Sequence, residues 1–207
     1  MDKFNQKQIG DEIKVFIKAL DLRLISKKEI IDWSDKIILE EEKPDIFFIE
    51  LSLLDSKSIN EISSHLSEYK TSENSSNPTR PLLGLLNKEI RKGPLVLEKT
   101  IGLLYRLKNE LFFTELEESL IYCFDNEYDT AMYYNDKNKI LKLESQLLEF
   151  FNIYKSYTIL NSNEWSSLDE IVDEALVKFD HQTFKTPVIL VHTKHISTKT
   201  KSWWKFW

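Results

Sequence analysis

The chain has 207 residues, 42% of them apolar, 30% charged and 12% aromatic, with four glycines, five prolines and one cysteine. That apolar share supports a sizeable core and excludes a disordered chain. Four glycines are too few for a turn-rich all-β fold or a phosphate-cradling loop, and neither GxGxxG nor GxxxxGK[ST] occurs. The lone Cys123 excludes an intramolecular disulfide framework and a zinc ribbon.

The net charge is −6, and it is unevenly spread. After Asp180 there is no acid, while Lys185, Lys194, Lys199, Lys201 and Lys205 are basic. The preceding body is therefore more acidic than the total suggests. An acidic body predicts no nucleic-acid binding, because phosphate contacts require clustered lysine and arginine. It suits a basic protein partner instead. The opening MDKFNQKQIGDE is charged throughout, and the longest apolar cluster, IFFIELSLL at 46–54, is far too short to cross a bilayer. A cytoplasmic protein is expected.

Helical periodicity dominates the chain. Ile9, Ile13, Phe16, Ile17, Leu20 and Leu24 form one stripe of a first helix. Ser26 and Glu29 make a capping box that opens a second helix, whose buried face carries Ile30, Trp33 and Ile37 and which stops before Pro44. PDIFFIELSLLD fits a buried helix or strand, and Pro44 at a first-turn position favours helix. Ser58 and Glu61 form a second box. Residues 71–81, TSENSSNPTRP, read as a mobile surface loop.

Two helices are predicted next, over 82–92, ended by Gly93, and over 94–110, begun by Pro94. Thr114 and Glu117 box the start of another, with a stripe of Leu116, Leu120, Phe124, Tyr128 and Ala131. Leu143, Leu147, Phe151 and Tyr154 mark its successor. Beyond residue 155 the β-branched runs SYTIL and TPVILV predict two short strands, joined by a helix opened at a fourth box, Ser167 and Glu170. The expected fold is mainly α, a multi-helix bundle or stacked helical pairs with a small C-terminal two-strand element. Residues 1–198 would form one domain, followed by a Trp/Lys-rich tail at 199–207.

Four candidate sites deserve weighing. Glu118, Tyr122, Asp125 and Asp129 recur at offsets of four, seven and eleven, an acidic ladder opposite the apolar stripe of its helix. Trp33, Asp35 and Glu50 make a polar anchor set, because Glu50 is the lone charge in an apolar run and burial would demand a partner. His192 and His195, with His181 upstream, have the one metal-like spacing, but no nearby acid follows and no metal is expected. The tail places Trp203, Trp204, Phe206 and Trp207 among Lys201 and Lys205, suited to a membrane interface or to docking on the acidic body. Cys123, beside an apolar stripe, is expected buried and inert. No catalytic residue and no cofactor is predicted.

The stretch SKKEIIDWSDKIILEEEKPDIFFIELSLL, residues 26–54, resembles a pattern in small uncharacterised bacterial helical proteins of immunity type, partners of bacterial toxins. The matching residues are Trp33, Asp35, Ile37, Ile38, Pro44, Ile49, Glu50, Leu51, Ser52 and Leu53. The resemblance spans about 29 residues and implies a non-enzymatic role. Together with the charge distribution it predicts a protein-binding module that presents the ladder to a basic partner. The alternative is a peripheral membrane or scaffolding protein held by its tail.

Overall fold

The computed structural model describes residues 6–70, 78–93 and 95–184. Among them the chain forms nine α-helices and one 3₁₀ helix, with no strand. The first helix, α1 (Gln6–Asp21), runs through the middle of its neighbours, packing on α4 (Ile59–Glu68), on α5 (Thr79–Ile90) and on the 3₁₀ helix (Ile159–Glu164). Its predicted stripe is buried at Ile9, Ile13, Phe16 and Leu20, and Val15 and Ala19 on its other side are buried as well. Asp11 and Glu12 also lie inside, because α4, α5 and the 3₁₀ helix cover α1 on more than one side. Arg23 ends the helix in the left-handed region at φ 57°, so that Leu24 N–H reaches Ala19 O at 2.8 Å.

Helices α2 (Lys27–Glu40) and α3 (Ile46–Ser52) form a tight hairpin. The Ser34 hydroxyl donates to Phe48 O at 2.8 Å and the Ser52 hydroxyl donates to Asp35, pinning the two helices. Trp33 stands edge-on to Phe16 (4.8 Å) and Phe48 (5.6 Å), which joins the hairpin to α1. The capping box at Ser26 forms as its sequence predicts, and so do those at Ser58 and Thr114. Pro44 sits two residues before α3, correcting its expected place in the first turn. Asp45 is the cap, and its side chain accepts from Phe47 N–H at 3.0 Å.

The second half stacks α6 (Leu97–Glu110), α7 (Glu115–Tyr133), α8 (Lys137–Ile153) and α9 (Trp165–Thr183). Helix α7 packs on both α6 and α8, and α9 on both α7 and α8. Phe124, Phe150, Phe179 and Phe184 make an aromatic cluster with centroid separations of 5.1 to 6.4 Å. The two halves meet where α5 crosses the end of α8. There Gly84 is obligatory: a Cβ would stand 2.5 Å from Tyr157 O and 2.8 Å from Tyr154 O. Buried apolar residues from both halves belong to one contiguous core.

Four predicted elements need correcting. SYTIL is no strand: Tyr157 is buried and Ile159 begins the 3₁₀ helix, whose entry is tied by Thr158 N–H and hydroxyl donating to Asn161 Oδ1, both at 2.9 Å. Its intended partner TPVILV lies outside the described residues. Ser167 does not cap α9, which starts at Trp165; inside the first turn its hydroxyl donates back to Glu164 O at 2.7 Å. Of the predicted loop 71–81, residues 71–77 lie outside the described residues, whereas Thr79, Arg80 and Pro81 are the buried first turn of α5. A proline fits there because first-turn N–H groups need no helical partner. Finally, α6 begins at Leu97 rather than at residue 94, and Pro94 lies outside the described residues.

Candidate functional site

A cleft of about 780 Å³ opens between α1, α2, α5 and the segment 155–163. Its depth is set by Glu12, only 3% exposed, on the enclosed helix α1. Trp33 Nε1 donates to Glu12 Oε2 at 2.9 Å, Ser162 Oγ donates to Oε1, and Gln8 Nε2 approaches Oε1 at 3.5 Å. Gln8 Nε2 also donates to Ser162 Oγ at 3.0 Å. One carboxylate thus ties α1 to α2 and to the 3₁₀ helix. Burial pushes the Glu12 pKa up, and the hydrogen bonds from Ser162, Trp33 and Gln8, with the charge of Lys36, pull partly against it.

A second polar cluster lies where α5, α7, α8 and α9 meet. Arg80 is its hub. Nε donates to Glu117 Oε1 at 3.1 Å, Nη1 to Asp169 Oδ1 at 3.0 Å, and Nη2 to Asp173. Glu117, with no exposed surface, also accepts from the Tyr154 hydroxyl at 3.0 Å and from Thr114 N–H and hydroxyl at 2.8 and 2.9 Å. Burial alone would make Arg80 easier to deprotonate, but Glu117, Asp173 and Asp169 more than reverse that, so the guanidinium stays charged. Burial raises the Tyr154 pKa well above the ordinary range, and Glu117 adds to the shift. Tyr157 links the clusters: it lines the cleft, and its hydroxyl donates to Asp169 at 2.6 Å.

Both clusters tie separate helices together. Ser162 spends its hydroxyl on Glu12, and Glu117 is a fully compensated ion. Among the described residues no group of three or more His, Cys, Asp or Glu is placed to hold a metal ion. Nor, among those residues, is any helix long and apolar enough to cross a membrane.

The residues predicted from sequence fall in three places. Glu118, Tyr122 and Asp129 are exposed and Asp125 half-buried along one side of α7, away from the cleft. Trp33, Asp35 and Glu50 do not form a set. Trp33 serves Glu12, Asp35 accepts from Ser52, and Glu50 is exposed, correcting the expected burial. The reason is the phase of α3, which turns Phe48 and Leu51 inward and leaves Ile46, Ile49, Glu50 and Leu53 outward. Cys123 is half-buried rather than enclosed. His181 is exposed, whereas His192, His195 and the tail residues Trp203, Trp204, Lys205, Phe206 and Trp207 lie outside the described residues.

Sequence reasoning missed Glu12 and Arg80. The signal for Glu12 was present: it lies three residues after Ile9 and four before Phe16, inside the apolar stripe. Glu117 likewise precedes Leu120 by three and Phe124 by seven, so its capping position is also a core position. Arg80 carried no such signal, since its surroundings, NPTRP, have the composition of a loop. No protein family, curated protein or solved structure matches this chain.

Proposed function

We propose that this chain is a non-enzymatic protein-binding module, an immunity-type inhibitor that offers the outward side of α7 to a basic partner. One observation carries the reading. The ladder Glu118, Tyr122, Asp125 and Asp129 continues at helical spacing into Met132 and Tyr133, with Tyr122 60% and Tyr133 83% exposed. None of the three acids makes an ion pair among the described residues. Exposed tyrosine and methionine beside unpaired acids combine an anchor with a steering field. Aromatic residues dominate interface energetics, and opposed charges speed encounter and select partners. The acidic balance of the body and the resemblance of residues 26–54 support the same class.

The test is capture from a lysate of the native source on the intact chain, beside a Glu118→Lys/Asp125→Lys/Asp129→Lys variant and a Tyr122→Ala variant. A stoichiometric basic protein is expected on the intact chain, released by high salt and lost from both variants. Substitution of the exposed Glu118, Tyr122 and Asp129 changes stability by about 0.5 kcal/mol or less each, and of the half-buried Asp125 by somewhat more, so melting temperatures are compared alongside capture. Capture that survives the charge reversal overturns the assignment of α7.

A further inference from the structure

The cleft is untouched by the α7 reading, and two of its three lysines have no ion-pair partner among the described residues. Lys88, near the end of α5, and Lys155, just after α8, are exposed and make no ion pair among the described residues. Lys36 joins them from α2, held only loosely by Glu40 at 3.9 Å. Three ammonium groups, from α2, α5 and the turn after α8, therefore line one cleft, in a chain whose net charge is −6.

The acids of the same cleft are already engaged. Asp32 pairs with Lys28 at 2.9 Å, and Glu29 accepts from Ser26 N–H at 2.8 Å within its capping box. Glu12 lies beneath, its oxygens taken up by Trp33, Ser162 and Gln8. The exposed acids of the rim, Glu29 and Asp32, both stand on α2, whereas Lys88 and Lys155 come from α5 and the turn after α8 and have no ion-pair partner among the described residues; between them lies an apolar wall. The Trp33 ring in that wall is immobilised on three sides, by Phe16, by Phe48 and by its own N–H on Glu12. A platform fixed in advance costs little ordering on binding. The volume falls within the range of about 300–1,000 Å³ typical of small-molecule sites.

We propose that this cleft binds a small aromatic carboxylate, its ring against Trp33 and its carboxylate on Lys88 and Lys155. Ammonium–carboxylate hydrogen bonds are charge-assisted and set the orientation, while the ring contact supplies apolar burial. The proposal is independent of the partner-binding face on α7.

The experiment is calorimetric titration of the full chain with three probes that share one ring system: indole-3-acetate, neutral indole and cationic tryptamine. Indole-3-acetate is expected to bind at least about tenfold more tightly than either of the others. Lys88→Gln/Lys155→Gln should remove that advantage while leaving indole unchanged and the melting temperature intact, since both lysines are exposed. Tightest binding by tryptamine would hand the site to Glu12 and overturn the proposal. Equal binding of indole and indole-3-acetate, no binding of the acetate at millimolar concentration, or indifference to the double substitution would each overturn it as well.

Discussion

Glu12 and Glu117 are both almost wholly buried, both sit at helix junctions, and both accept hydrogen bonds from several elements. They differ in one respect. Glu117 faces a guanidinium at 3.1 Å, whereas the donors on Glu12 are an indole, a hydroxyl and an amide. The consequence is chemical. With Arg80 beside it, Glu117 belongs to a permanent ionic brace that clamps α5 to α7 and, through Asp169 and Asp173, to α9. Without a cation in contact, Glu12 pays the desolvation of its charge in a raised proton affinity. Burial places a carboxylate; the counter-charge decides what it does.

The sharpest way to break the comparison is to remove the counter-charge. Arg80→Met should cost about 3–5 kcal/mol, because it strands Glu117 as an uncompensated buried ion. At about 2–4 °C per kcal/mol for a chain of this size, the melting temperature should fall by roughly 10 °C. A loss below about 1 kcal/mol in urea unfolding would show that Glu117 does not depend on Arg80. Trp33→Phe makes the matching cut at the other site. It keeps a ring against Phe16 and Phe48 but deletes the N–H on Glu12, leaving a buried acceptor short of one partner at a cost of about 1–3 kcal/mol. The order of the two losses is the point: the stranded ion should cost more than the missing neutral donor.

The same contrast appears in pH. Because the Glu12 pKa is raised above its ordinary 4.5, the folded chain holds that proton more tightly than the unfolded chain. Stability contributed by this group is therefore highest below 4.5 and declines as pH rises through the folded value. Glu12→Gln should remove that decline. The amide loses hydrogen bonds at every pH, which offsets the curve vertically, so the slope is the quantity to compare. A wild-type slope that the variant reproduces would mean that some other group titrates.

Much of the fold was legible in the sequence because its signals are local. Three capping boxes and the apolar stripes of α1, α7 and α8 follow from spacing within one or two turns; IFFIELSLL is helical as expected, although Pro44, which favoured helix, stands outside the first turn. The failures are non-local. SYTIL reads as a strand by its β-branched residues, yet Tyr157 packs beneath Gly84, and that long-range contact decides its conformation. Arg80 looked like a loop residue because its three carboxylate partners lie 37 to 93 positions away. The ladder on α7 was legible because an exposed stripe needs no partner to define it, while the cleft is assembled from four separate segments.

The smallest expected effect tests whether one local motif behaves alike in two settings. Ser58 and Thr114 cap their helices with the same geometry, each giving N–H and hydroxyl to a glutamate three residues on. Glu61 is exposed, so after Ser58→Ala water can replace the lost hydroxyl, and the cost should be about 1 kcal/mol. Glu117 has no exposed surface, so Thr114→Ala removes a donor that water cannot replace. Its cost should exceed that of Ser58→Ala by about 1 kcal/mol, read as a shift in urea midpoint at unchanged m-value. Combining Thr114→Ala with Arg80→Met should then be non-additive, since both changes act through one carboxylate, while Ser58→Ala with Arg80→Met should add. Additivity in both pairs would separate the cap from the brace and leave Glu117 with two independent roles.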